Sequence, residues 1–357
     1  MNGYRVVLAL LLATCCQAAA ESLTVVSWGG AYEQATRKAV LEPFSAETGI
    51  EVLVEVYNGG LAQVRAQVET GNVHWDLVDL EMADIILGCD EGLLELIASE
   101  DLAPAADGRR TADDFFPGTL TDCGGAFIVY STVYAYNTET FPGDKPATIA
   151  DLFDIESFPG RRGMRRTAQA NLEFALMADG VPISDVYATL GTEAGMARAF
   201  RKLDTIKDHI VWWETGAQPP QMLADREVVM STAYNGRIFD AAVMEKQPFV
   251  IVWDGQVLDT TGWVIVAGTR NLEAARRFLA YSSRPDRQAD LSHYISYSPG
   301  RLSGAALIGT LLATGMDMRP HVPTSAQNLD RALPINSEWW SDHADEVNVR
   351  FSAWLAR

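Results

Sequence analysis

Apolar and polar positions along the chain alternate in blocks, and the first blocks predict a strand and a helix in turn. Leu23 to Trp28 is a short apolar run that predicts a buried strand. Gly29-Gly30 turns the chain into a helix over Tyr32 to Phe44, with Tyr32, Ala35 and Ala39 at helical spacing, and Gly49 caps it. Ile50, Val52, Val54 and Val56 then fall on one face and Glu51, Glu55 and Tyr57 on the other, the period of a second strand. Asn58-Gly59-Gly60 leads to a helix through Leu61, Val64 and Val68. Asp76 to Leu80 reads as a third strand, and Ile85 and Ile86 sit on a helix that stops near Gly92. The repeated strand-helix order predicts an α/β lobe with a mainly parallel sheet flanked by helices.

An extended apolar stretch, Ala126 to Tyr136, followed by Pro142-Gly143 and Pro146, marks a crossing to a second lobe. That lobe is expected to hold helices at Leu172 to Met177 and Met196 to Leu203, strands at Ile210 to Trp213 and Val228 to Ala233, and a helix starting near Arg237. After Gly262, a strand from Trp263 to Ala267 and a helix from Leu272 to Tyr281 return to the first lobe. The expected division is residues 21–131 with 260–310 as lobe 1, and 132–259 with 311–357 as lobe 2 and C-terminal helices. Two crossings create a hinged cleft, where ligands collect at the carboxyl ends of strands.

Residues 1–20 change the compartment. Arg5 precedes the apolar run Val6 to Ala13, and Ala18-Ala19-Ala20 offers a small-residue cleavage site, so 1–20 reads as a signal peptide cut near Ala20. Without it the chain still exceeds what one core usually organises, in keeping with two lobes. Cys89 and Cys123 are the cysteines left after cleavage. In an oxidising compartment they are expected to pair, closing a loop of ~35 residues. A net charge of −19 argues against nucleic acid as a partner, because phosphate backbones are held by clustered Lys and Arg. The five histidines show no metal-ligand spacing, and no G-x-S-x-G or P-loop pattern occurs. No cofactor is implied.

Ser27-Trp28-Gly29-Gly30-Ala31-Tyr32, Pro43-Phe44 to Thr48-Gly49-Ile50, Trp75-Asp76-Leu77-Val78 and Tyr234-Asn235-Gly236-Arg237 stand in an order that resembles the periplasmic spermidine/putrescine-type binding proteins of ABC importers. The likeness runs from about residue 22 to the C-terminus, through the Arg284-Pro285 and Tyr297-Ser298-Pro299 turns. It implies a two-lobed type II periplasmic-binding fold that closes on one solute, a monomer in the periplasm, and an importer permease in the inner membrane as partner. The chain departs from the polyamine pattern where carboxylates grip terminal ammonium groups. After the Met164 to Arg166 strand it reads Thr167-Ala168-Gln169-Ala170-Asn171, with no acid, and the second acidic place falls at Thr261, two residues from Asp259.

The ligand-binding candidates follow. Arg237, at a helix start, presents a planar fork for a carboxylate or sulfonate. Asp259, read as part of a turn into the Trp263 strand, suits an ammonium group. Together they select a zwitterion such as an ω-amino acid, 4-aminobutyrate being the concrete case implied by relatives of this subgroup; a polyamine is the other amine solute. Trp28 and Tyr234 are expected as aromatic walls, Trp263 as a further wall, and Asp79 and Glu81 as cleft-facing acids at the end of the third strand. Trp212-Trp213 is assigned to the core, and Arg161, Arg162, Arg165 and Arg166 to a solvated face from which Arg166 could approach the cleft. Two alternatives share the fold: a thiaminase-like transferase with Cys123 as nucleophile, and a ferric-ion receptor, which the absence of a Tyr-Tyr pair disfavours.

Overall fold

The computed structural model describes residues 21–357, so the expected signal peptide lies outside the described residues. Eight main strands form one continuous sheet: β1 (Ser22–Ser27), β2 (Glu51–Val56), β3 (Leu77–Glu81), β4 (Ile128–Asn137), β5 (Arg162–Arg165), β6 (Ile210–Trp213), β7 (Met230–Tyr234) and β8 (Phe249–Ile265). Their spatial order is β2-β1-β3-β8-β4-β7-β5-β6. At one end β1 runs parallel to β2 and β3. At the other, β5 runs parallel to β6 and β7. Between these parallel sets lie β4 and β8, antiparallel to each other and to their outer neighbours β7 and β3.

This arrangement explains why the chain can be one sheet and still have two bodies. One set of buried apolar side chains spans Leu23 to Tyr130 and Trp263 to Tyr297. Another spans Tyr134 to Val257 together with Leu333 to Trp354. We take these as the cores of lobes 1 and 2. Among the described residues, β4 and β8 are the strands with buried residues in both, so they carry the connection. The 17 residues of β8 pair with β4 on both sides of an irregularity between Val252 and Val257, where a residue in the left-handed region, Gly255 (φ 71°), lies.

The first predicted helix is continuous but not uniform, running Gly30–Thr36, through a π-helical turn at Arg37–Leu41, into Glu42–Thr48. Gly49, at φ 77°, ends it as expected. Tyr57 corrects the alternation pattern: it follows β2 rather than continuing its polar face, and is buried with its ring 5.0 Å from Trp28. β8 is a larger correction. The strand begins at Phe249, well before Trp263, so Asp259 belongs to its interior and not to a turn.

Helices cover the sheet. Those that matter for the site are α1 (Gly30–Thr36), α2 (Met82–Asp90), α3 (Asn171–Ala178), α4 (Asn235–Val243), α5 (Leu272–Ser282) and α6 (Ser337–Leu355). Among the described residues, no helix is long and apolar enough to cross a membrane. A disulfide joins Cys89 on α2 to Cys123, with the Cα atoms 5.8 Å apart.

Candidate binding cleft between the lobes

Sheet register brings the predicted acids and aromatics together. Residues opposite one another in an antiparallel pair share a face, as do residues two apart on one strand. Asp259 lies opposite Tyr130, Thr261 opposite Glu81, and Tyr234 opposite Thr132. One face of the sheet therefore presents Glu81, Tyr130, Tyr234, Asp259 and Thr261 where the two lobes meet. Over it lie two adjoining hollows that share Tyr130. The first is narrow, about 30 Å³, and is lined by Trp28, Tyr32, Glu81, Tyr234, Arg237 and Tyr297 among others. The second, about 10 Å³, is lined by Arg165, Gln169, Asn171, Thr232 and Asp259 among others.

Arg237 enters the first hollow from lobe 2, on the first turn of α4, and is only 6% exposed. Its Nη2 donates to the Trp28 carbonyl oxygen of lobe 1 at 3.2 Å, while Nε has no hydrogen-bond partner among the described residues. Close approach requires the absence of side chains nearby: a Cβ on Gly30 (φ 61°) would collide with its Nη1, and one on Gly216 would stand 2.6 Å from its Nε. No carboxylate of the described residues lies within ion-pair distance of this guanidinium. A buried, unpaired cation facing a cavity is the arrangement that an entering anion completes.

The second hollow sets an acid, Asp259, beside Arg165. Asp259 accepts from the Tyr130 hydroxyl at 3.1 Å, from Gln169 Nε2 at 3.0 Å and from the Thr260 N–H at 2.7 Å. Burial, and then the nearby charge of Glu81, hold its carboxyl well above the usual carboxylate range. Such an acid is short of a cation. Glu81 is partly satisfied by Arg165, 3.3 Å away across the cleft, and Arg165 lies over the Tyr234 ring.

Placement differs from expectation at three points. Trp263 shares the cleft face of β8 but sits farther along it, where α5 covers the sheet; it is buried against Phe278 and Phe127, with ring centroids 5.6 and 6.0 Å away, and lines neither hollow. Asp79 lies behind the cavity wall, wholly enclosed. The arginine cluster is not one solvated face: Arg162 is fully buried and donates to three backbone carbonyls, Arg165 enters the cleft, and exposed Arg166 pairs with Glu214. Strand alternation separates them, and Arg165 is the one at the carboxyl end of β5. Tyr130, Tyr32, Gln169 and Tyr297 were not singled out as ligands; Tyr130 and Gln169 lay inside stretches read for their apolarity or their missing acid.

Cys123 is bonded to Cys89 and fully buried, which removes the free thiol that the transferase alternative needs. Comparison with known proteins points the same way as the cleft. The family model for bacterial extracellular solute-binding proteins matches residues 39–322. A Pseudomonas aeruginosa protein named gamma-aminobutyric acid-binding protein is 43% identical over 348 residues, which is 98% of this chain and 95% of that protein. The periplasmic binding protein MotA from A. tumefaciens B6, solved in complex with glucopine, matches with a TM-score of 0.84 at 28% identity, over 94% of this chain and 99% of that one. A protein described as a GABA receptor gives a TM-score of 0.79 at 30% identity, over 94% and 98%. The chain belongs to the bacterial extracellular solute-binding protein family.

Proposed function

We propose that the protein is the periplasmic receptor of an ABC importer, that it captures a small zwitterion of the 4-aminobutyrate type between its lobes, and that it hands the solute to a permease without transforming it. The observation that carries this reading is the separation of charge in the cleft. Arg237, buried with no acidic partner, stands in one hollow, and Asp259, buried and short of a cation, stands in the next. A carboxylate at Arg237 and an ammonium at Asp259 satisfy both with charge-assisted hydrogen bonds. Tyr130 lines both hollows, and Trp28 and Tyr234 line the first, an aromatic setting for a short alkyl chain.

A solute touching both lobes favours closure, because binding free energy differs between open and closed states. A pure polyamine fits less well: two guanidinium groups, Arg165 and Arg237, face the cavities and repel it. The names of the relatives support the same solute class. A thermal-shift panel of 4-aminobutyrate, 5-aminopentanoate, putrescine and spermidine tests it on ligand-stripped protein. Zwitterions raising the melting temperature while diamines leave it unmoved is the expected result, and the reverse order overturns the proposal.

A further inference from the structure

Asp79 is fully buried in the middle of β3, and the charged neighbour that acts on it most, Glu81, has the same sign. Its Oδ2 accepts from the Tyr32 hydroxyl at 2.5 Å, while Oδ1 has no hydrogen-bond partner among the described residues. Enclosing a carboxylate on these terms is unfavourable, and an apolar side chain of similar size would pack there with less penalty. The neighbours suggest what the acid does instead. Tyr32 lines the first hollow. Tyr57, whose hydroxyl donates to the Asp79 backbone carbonyl at 2.6 Å, packs its ring on Trp28, which lines it too. Tyr32 in turn meets Tyr297 edge to face at 5.7 Å.

We infer that Asp79 is a positioning residue for solute capture: it touches no solute, and its carboxylate holds the Tyr32 hydroxyl inward so that Tyr32, Trp28 and Tyr297 stand as a preformed wall. Burial pushes the Asp79 carboxyl up to about 7, and once it is ionised the charge-assisted hydrogen bond from the phenol is stronger than the one an amide would accept. Preorganisation of this kind raises affinity by removing the loss of side-chain freedom on binding. The acid therefore contributes to binding while working against stability.

The inference rests on the proposed function only for its probe, 4-aminobutyrate. Asp79→Asn is expected to weaken binding in calorimetry by about tenfold with an unchanged or higher melting temperature. Tyr32→Phe is expected to weaken it comparably, and the double variant no more than the worse single one, because both remove the same bond. Affinity within twofold of wild type in Asp79→Asn, or losses that add in the double variant and track a falling melting temperature, would overturn it. If the wild-type protein ignores 4-aminobutyrate, the proposed function fails, and the anchoring is judged without ligand. In protein carrying ¹³Cζ-tyrosine, the resonance lost in Tyr32→Phe must move in Asp79→Asn; an unmoved resonance overturns the inference.

Discussion

Replacing Arg237 by alanine removes the one cation in the first hollow that has no acidic partner. In the wild-type protein its guanidinium is 6% exposed and held by the Trp28 carbonyl at 3.2 Å, so a solute carboxylate meets a charge already desolvated and aimed. Breaking a buried ion pair by removing one partner costs about 3–5 kcal/mol, which at 1.4 kcal/mol per factor of ten is roughly two to four orders of magnitude in Kd. The lost contact to Trp28 is a single hydrogen bond, and its effect on folding should be small beside that. Isothermal titration of Arg237→Ala with 4-aminobutyrate is the assay, with putrescine as the solute that carries no carboxylate. Affinity for 4-aminobutyrate within threefold of wild type, in a folded variant, would refute the assignment of Arg237 to the solute's acid.

Other perturbations test separate parts of the account. Asp259→Asn keeps the shape and, with its amide oxygen at the Oδ2 place, the Tyr130 and Gln169 contacts, but loses the acceptor for the Thr260 N–H and the charge, and is expected to weaken 4-aminobutyrate by about 1.5–3 kcal/mol in the same titration. Glu173 is fully buried on α3, with Trp340 Nε1 and the Tyr187 hydroxyl both donating to its Oε1, and burial pushes its carboxyl up to about 7. The folded state then keeps a proton that the unfolded state has lost from about pH 4.5 upward, so this group lowers stability as pH rises to about 7 and its penalty stays in full above that. Glu173→Gln retains the Oε1 acceptor and is expected to be more stable than wild type at pH 8, by up to roughly 3 kcal/mol, with the difference vanishing near pH 4.5; denaturant titrations at the two pH values measure it, and a destabilised variant at pH 8 contradicts it. Reducing the Cys89–Cys123 bond reopens a loop of sequence separation 34 and should lower stability by about 3–4 kcal/mol, read as a fall in melting temperature on adding reductant.

The strands and helices of lobe 1 were legible because their hydrophobic period is clean. The alternation around Ile50 to Val56 placed β2, and the Asp76 to Leu80 run placed β3 within a residue of its span. β8 was not, and the reason is chemical. Its middle carries Asp254, Gly255, Asp259 and Gly262, residues that favour turns, because this part of the strand crosses between lobes and faces a polar cavity instead of a core. Function there overrides the pattern that marks a strand. The same conflict hid Arg165: four arginines within six residues look like solvated charge until the two-residue period of β5 and its carboxyl end pick out one side chain. Trp263 shows the converse limit, since register gives the face correctly but not the height along the strand at which α5 replaces the cavity. Arg237, Trp28 and Tyr234 could be placed at the lobe junction because each ends or follows a strand beside a glycine or a helix start, where sequence alone locates a carboxyl edge.

The most direct measurement of the central claim is calorimetric titration of the ligand-stripped protein, residues 21–357, with 4-aminobutyrate. Saturable binding of one solute per chain is predicted. No heat with 4-aminobutyrate under conditions where putrescine saturates the protein would contradict the zwitterion reading and return the cleft to a diamine.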